Sequence, residues 1–453
     1  MKQKTKGKVK TKPTIFVSIA SYRDPELIPT LLDMIKEAKH PERLRIGVCW
    51  QDDENTQPFL DAGMTLVDSL QHEGVPVFYF QYQKAAIELL SFHYFASQGA
   101  CWARHSVELH YKQEDYFLQI DSHCRFVPHW DTEMITMLEG LRGQSKYPVL
   151  SSYPPGYTPG NDEARTKYVS RLIFRGFNNE KILGLSSTPF ESTTPRRCGY
   201  LAAGFVFADG HFVTKVPNDP QIFFLGEEIA MAARAFTHGY DMWSPSHILL
   251  WHFYSRKDHP KVWGDHNNQA KKEGAVDKAW WERDKTSKMR VLSVLNASDD
   301  ECDLGPYRLG NVRSLQEFQY RIGVDFREQK VHPDVFSTEK INWFDELPTD
   351  HNQWLLQLRC INEKLLQIPK EELDLTRTDI AWWHVGVYST QNTPLMVKQY
   401  TPEEMRKQLR DVDEKMVELN IRFITINHSP VNNIRICPYS TQEGWGQVVE
   451  KPW

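Results

Sequence analysis

Residues 14–39 read TIFVSIASYRDPELIPTLLDMIKEAK, and the change of rhythm within them sets the fold class. The first part is apolar without alternation, the mark of a strand covered on both faces. After Arg23 the apolar residues Leu27, Leu31, Met34 and Ile35 return at helical spacing, so the stretch predicts strand, turn and helix. Outward from it, LRIGVCWQDDE (44–54) reads as a second buried strand ending in acid and VPVFYFQY (75–82) as a third. AAIELLSFHYFA (85–96) is expected to be a helix. Strands alternating with helices imply an α/β fold with a mainly parallel sheet, whose ligands sit at the carboxyl ends of the strands.

Further along, GACWARHSVELHY (99–111) has a helical pattern, and YFLQIDSHCRF (116–126) is an apolar strand broken abruptly by Asp121-Ser122-His123. Residues 151–200 are rich in Pro, Gly, Ser and Thr and are expected to form long loops over a site. GYLAAGFVFADGHFV (199–213) reads as a strand, LGEEIAMAARAFTHGYD (225–241) as a helix with Glu in its first turn, and ILLWHFYSR (248–256) as the last apolar strand. Three parts are expected: a basic, solvated arm over 1–12, an α/β domain over 13–330, and a small C-terminal α/β domain over 331–453. In the last, IAWWHVGVYST, PLMVKQY and IRFITINHS read as strands. TPEEMRKQLRDVDEKMVELN (401–420) reads as one amphipathic helix, capped by Thr401 with Glu404 at capping-box spacing.

At 453 residues and 40% hydrophobic composition the chain can bury more than one core. The 54 Lys and Arg against 59 Asp and Glu give a net charge of -5, so no overall basic field invites nucleic acid or an anionic membrane. A phosphate ligand would have to be held locally. No apolar run approaches the roughly 20 residues of a transmembrane segment. The seven cysteines are scattered without a C-x-x-C pair, and the basic N-terminus lacks a secretory cleavage pattern. Free thiols and a cytoplasmic location are therefore expected.

The Asp121-Ser122-His123 break is the sharpest chemical signal. Residues i and i+2 at a strand end project to one side, so a carboxylate and an imidazole can reach one divalent cation, which in turn suits a diphosphate. A turn uses Asp in the same place to bond its own backbone. His252, inside an apolar strand, completes a cation's shell if the fold sets it opposite Asp121 and His123; otherwise it is a core histidine. Glu227 and Glu228 open a helix, where the macrodipole alone favours them, but a carboxylate there can also orient an acceptor hydroxyl. Arg23 and Arg104 suit phosphate by forked hydrogen bonding or a surface salt bridge, and Asp52 suits a ribose or base, or equally a turn or helix cap. Trp251 and Tyr254 flank His252 and offer aromatic surface to sugar or peptide. No G-x-G-x-x-G, P-loop or G-x-S-x-G run is present, which leaves a nucleotide held by metal and not by a glycine loop.

Taken in order, TIFVSIASYRDPEL, GACWARH, YFLQIDSHCRF with Trp130-Asp131, LAAGFVFADG and LGEEIAMAARAFTHGYD resemble the GlcNAc-transferases of glycosyltransferase family 60, over about residues 13–325. The resemblance implies a GT-A fold, a Rossmann-like nucleotide-diphospho-sugar transferase domain. It also implies UDP-GlcNAc as donor, a divalent cation (Mn²⁺ or Mg²⁺), and retaining transfer of α-GlcNAc to a hydroxyl, that of polypeptide Ser, Thr or hydroxyproline in characterised members. By position, Asp121 and His123 match the family's D-x-H metal motif and His252 its late histidine. Glu227 and Glu228 match the acidic pair facing the acceptor, and Ser21, Arg23, Asp52, Arg104 and Asp121 surround the donor. Residues 340–453 lie beyond the resemblance, so acceptor recruitment, homo-oligomerisation and stabilisation all stay open for them. A saccharide acceptor in surface-polymer synthesis, a nucleotide-sugar hydrolase, and a non-catalytic sugar-binding or scaffold protein are the alternatives.

Overall fold

The computed structural model describes residues 12–300, 302–336, 343–373 and 375–453. The expected basic arm over 1–12 lies, except for Lys12, outside the described residues. The chain divides into two compact units, one of residues 1–327 and 334–347 and one of residues 328–333 and 348–453.

In the first unit the opening stretch folds as strand β1 (Ile15–Tyr22) and helix α1 (Leu27–Glu37). There follow β2 (Leu44–Asp52), α2 (Gln57–Asp61), β3 (Thr65–His72), β4 (Val75–Tyr82), β5 (Ala85–His93), α3 (Ala100–Glu108), β6 (Tyr116–Asp121), β7 (Cys124–Phe126), α4 (Trp130–Glu139) and β8 (Pro148–Ser151). Next come β9 (Val169–Phe177), β10 (Leu183–Phe190), β11 (Arg196–Cys198), β12 (Phe205–Asp209), α5 (Phe212–Lys215), α6 (Glu227–Thr237), β13 (Asp241–Ser244) and β14 (Leu250–His252). Helices α7 (Val262–Asp265), α8 (Asn268–Lys272), α9 (Trp280–Val294) and α10 (Leu315–Ile322) follow them. A ten-stranded sheet runs in the order β11-β13-β8-β12-β6-β1-β2-β5-β4-β3. Its middle, β6-β1-β2-β5, is parallel, and β12 joins β6 antiparallel. Apolar residues of β1, β2, β5 and β6 meet Leu31, Met34 and Ile35 of α1 and Trp130 and Met134 of α4 in one core. This mixed α/β sheet, parallel at its centre, is Rossmann-like as expected, but five of its nine pairings are antiparallel, which corrects the expectation of a mainly parallel sheet.

Two element readings are corrected. Residues 85–93 form a strand and not a helix: β5 is flanked by β2 and β4, and Ile87, Leu89 and Leu90 are all buried, so both faces are covered and the apolar run carries no diagnostic period. Within 151–200, residues 169–190 form a β-hairpin, β9 with β10, and β11 joins the large sheet. The turn-forming residues that suggested loops only punctuate these strands.

The second unit contains helices and strands, with the strands carrying it. One antiparallel sheet includes Lys330–Val331, Arg359–Pro369, Met416–Thr425 and Leu409–Asp411; the other includes Pro394–Tyr400, Ile380–Ser389, Val431–Ser440 and Gly444–Trp445, with Val449–Pro452 beside Val431–Ser440. The single helix expected over 401–420 is corrected as well. Its capping box is present, but the helix spans only Pro402–Gln408. Val417, Leu419, Ile421 and Phe423 then enter the core at period two, as a strand requires. Among the described residues no helix is long and apolar enough to cross a membrane.

Candidate active site

The site grows from the end of β6. Asp121 closes that strand between β1 and β12, and the chain turns through Ser122 and His123 into β7. β7 pairs antiparallel with β14 in a register that sets His252 opposite Cys124, beside His123. The strand position of His252 is fixed further by its N–H to Pro155 and its carbonyl to Tyr157. The imidazole rings of His123 and His252 lie 4.5 Å apart, and one ligand atom each from Asp121, His123 and His252 falls within 4.8 Å of the others. Gly204 lets this happen: a Cβ there would sit 2.8 Å from Asp121 Oδ2.

Hydrogen bonding prepares these groups for a cation. His123 Nδ1 meets Asp24 Oδ2 at 2.7 Å, and its Nε2 faces Arg256 Nη1 at 3.3 Å. Arginine only donates, so the proton is on Nδ1 and the Nε2 lone pair accepts from Arg256. A carboxylate behind a metal-binding histidine fixes its tautomer in this way. Asp24 also accepts from Ser122 Oγ at 2.5 Å and pairs with Arg256 at 3.0 Å. Burial pushes the His123 imidazole below its ordinary pKa, with Asp24 opposing. Burial would raise Asp121, but the His252 hydrogen bond and Arg104 outweigh it and hold the carboxyl well below the usual range. His252 Nε2 lies 3.1 Å from Asp121 Oδ2, while its buried Nδ1 has no hydrogen-bond partner among the described residues. Two imidazoles and an ionised carboxylate facing one another could hold a divalent cation.

The helix start supplies the acids. Gly226, at φ +86°, turns the chain into α6 with Glu227 and Glu228 in its first turn. Arg104 of α3 is buried between them and the triad, with Nη1 2.8 Å from Glu227 and Nη2 3.0 Å from Asp121. Glu227 also accepts from the Cys101 thiol at 2.7 Å. Glu228 accepts from the Tyr153 hydroxyl at 2.5 Å and the Ala203 N–H at 3.0 Å. Burial, reinforced by the charge of Glu227, pushes Glu228 up to about 7, with Tyr153 pulling the other way.

Asp121, His123, His252, Glu227, Glu228, Arg104 and Tyr254 line one cavity of about 600 Å³. The others stand outside it. Along β1 the side chains alternate: Ala20 and Tyr22 line the cavity, and Ser21 between them is fully buried. Arg23 bonds Asp265 at 2.9 Å and lies over the Tyr94 ring at 4.4 Å. Asp52 ends β2 away from the lining, its carboxyl raised by burial, whereas its neighbour Gln51 lines the cavity. Trp251 turns away and donates to the Thr166 carbonyl; Tyr254, its ring tilted 44° against that of His252 with centroids 4.2 Å apart, stays half exposed. Asp24, Tyr153, Gly204, Arg256, Lys257 and Lys261 were missed by the sequence reading. Only the position of Asp24 after a strand hinted at a role, and a turn explains that equally well.

The family described as glycosyltransferase (GlcNAc) matches residues 14–78 and 71–328. No curated protein matches the chain. Among solved structures, the chain is similar to GalNAc-T7 with UDP, GalNAc and Mn²⁺ at 14% identity and TM-score 0.40, covering 68% of this chain and 54% of that one. It is also similar to S. aureus TarS 1-349 in complex with UDP-GlcNAc, at 11% identity and TM-score 0.37, covering 70% and 72%. A third likeness is mannosyltransferase PcManGT from Pyrobaculum calidifontis in complex with GDP-Man and Mn²⁺, at 11% identity and TM-score 0.32, covering 55% and 59%. The chain thus spans about half the length of the GalNAc-T7 structure. These likenesses are distant, and assignment rests on the family match, which takes in most of the first unit: the chain belongs to the glycosyltransferase (GlcNAc) family.

Proposed function

We propose that the protein transfers GlcNAc from UDP-GlcNAc to a hydroxyl acceptor with retention at the anomeric carbon, using a divalent cation held by Asp121, His123 and His252. The observation that carries this reading is the meeting of that triad with Glu227 and Glu228 on the wall of one cavity. When bound, the cation supplies neutralisation of the negative charge that grows on the departing UDP. Lys257 and Lys261 on the cavity lining add positive charge for the same diphosphate. In the transfer, the bond between the anomeric carbon and the UDP oxygen breaks and a bond to the acceptor oxygen forms on the same face. The acceptor proton leaves with the phosphate oxygen. Front-face attack is favoured because Glu227 is tied up by Arg104 and Cys101, and Glu228 by Tyr153 and Ala203, so neither stands free as a nucleophile. Glu228, with a pKa of about 7, suits accepting a hydrogen bond from the incoming hydroxyl. Tyr254 borders the cavity on the side proposed for the acceptor. The acceptor proposed from the family resemblance is a polypeptide Ser, Thr or hydroxyproline.

The test is UDP release from a panel of UDP-sugars with Mn²⁺, Mg²⁺ or EDTA, by the native chain and Asp121→Ala. Metal-dependent turnover selective for UDP-GlcNAc, lost in the variant, is expected. Failure to bind any UDP-sugar with either metal would remove the donor assignment. The anomeric configuration of a product, read by NMR, decides retention.

A further inference from the structure

In the second unit, Trp383, Val385 and Val387 of the strand Ile380–Ser389 join the core, so by alternation Trp382, His384 and Tyr388 lie on its outer face. Pairing places Tyr439 across from Trp382 and Trp445 across from Tyr439. Trp382 and Tyr439 stack with centroids 4.8 Å apart and planes 14° from parallel, and Trp445 stands edge-on to both at 4.8 and 5.3 Å. Trp445 is 57% exposed. Neither indole N–H nor the Tyr439 hydroxyl has a hydrogen-bond partner among the described residues.

The surface continues along the strand. His384 Nε2 meets the Tyr388 hydroxyl at 3.1 Å across Gly386, where a Cβ would lie 2.7 Å from both side chains. Arg435 lies 4.6 Å over the Tyr388 ring and pairs with Glu450 at 2.8 Å. Those two charges cancel, so the face is neutral. An apolar partner would leave the indole N–H groups and the Tyr439 hydroxyl unpaired, and a polyanion would find no net positive charge. A pyranose matches both features, with its C–H face on the rings and its hydroxyls at the polar tips.

We propose that this face binds a neutral saccharide chain lying along the strands from Trp445 past His384 to Tyr388. From Trp382 to Tyr388 the strand rises about 20 Å, enough for several sugar rings. The ligand class rests on the glycosyltransferase reading; the place rests on the aromatic face alone. Such a surface gives the chain a second hold on a glycan-bearing acceptor and raises its effective concentration.

The experiment titrates the full chain, in EDTA and without UDP-sugar, with N-acetylchitotetraose, cellotetraose and maltotetraose, and with a hyaluronan hexasaccharide as the anionic comparison. The readouts are tryptophan fluorescence and calorimetry. At least one neutral oligosaccharide is expected to bind, at least 10-fold more weakly to Trp445→Ala, near-normally to Trp445→Phe, and unchanged to Asp121→Ala. The proposal is overturned if none of the three binds, if Trp445→Ala binds as well as the native chain, or if Asp121→Ala abolishes binding. It is overturned too if hyaluronan binds equally well, or if Trp445→Ala turns a dimer into a monomer in sedimentation. Saccharide binding by a chain that binds no UDP-sugar with either metal would overturn the donor reading and leave this face standing.

Discussion

Asp24 does not line the cavity, yet it sets the state of His123 by holding Nδ1 and anchoring Arg256. Asp24→Asn keeps the shape and removes the charge, so Mn²⁺ affinity measured by calorimetry is expected to fall about 10- to 100-fold with little loss of folded protein. Glu228 makes a prediction in pH. Its pKa of about 7 means the carboxylate form fills as pH rises through neutrality, so GlcNAc transfer to an acceptor should climb to a plateau above pH 7. Glu228→Gln should give a flat profile about 100-fold lower. The sign for stability is opposite. Between the ordinary carboxyl value of 4.5 and about 7 the folded state holds the extra proton, so Glu228 makes folding less favourable as pH rises across that window. Urea midpoints of the native chain and Glu228→Gln, compared at pH 4 and pH 8, should diverge accordingly.

At the scale of elements, two junctions place the acids and the cation ligands. Antiparallel pairing of β7 with β14 makes neighbours of His123 and His252 across more than a hundred residues of chain. The left-handed turn at Gly226 starts α6 with both glutamates facing the cavity. A Cβ at Gly226 would lie 2.8 Å from Val291 of α9 as well as in a conformation that L-residues resist. Gly226→Ala is therefore expected to lower stability by about 1–3 kcal/mol in urea unfolding and to reduce turnover, because the first turn of α6 must shift.

For the whole molecule, each unit buries its own apolar residues, one core around β1 and α1 and the other around Trp383, Ile421 and Ile436. Two calorimetric transitions are expected. Mn²⁺ with UDP at about 100 times its Kd should raise only one of them, by the equivalent of about 2.7 kcal/mol, since the triad belongs to the first unit. A shift of both transitions together would show that the units unfold as one.

The sequence by itself determined the α/β class, β1 and α1, the strand end at Asp121, the helix start at Glu227 and the cation triad as a candidate set. Those features are local, written in apolar period, turn residues and breaks in a strand. Tertiary structure decided the rest. The apolar run at 85–93 became a strand because β2 and β4 cover it, and 416–425 became one because it pairs with 359–369. Ser21 was turned from the cavity by strand alternation, while Asp24, Tyr153, Gly204 and Arg256 reached the site through contacts between distant segments. Register and packing depend on both partners of a contact, and a single segment read alone contains only one.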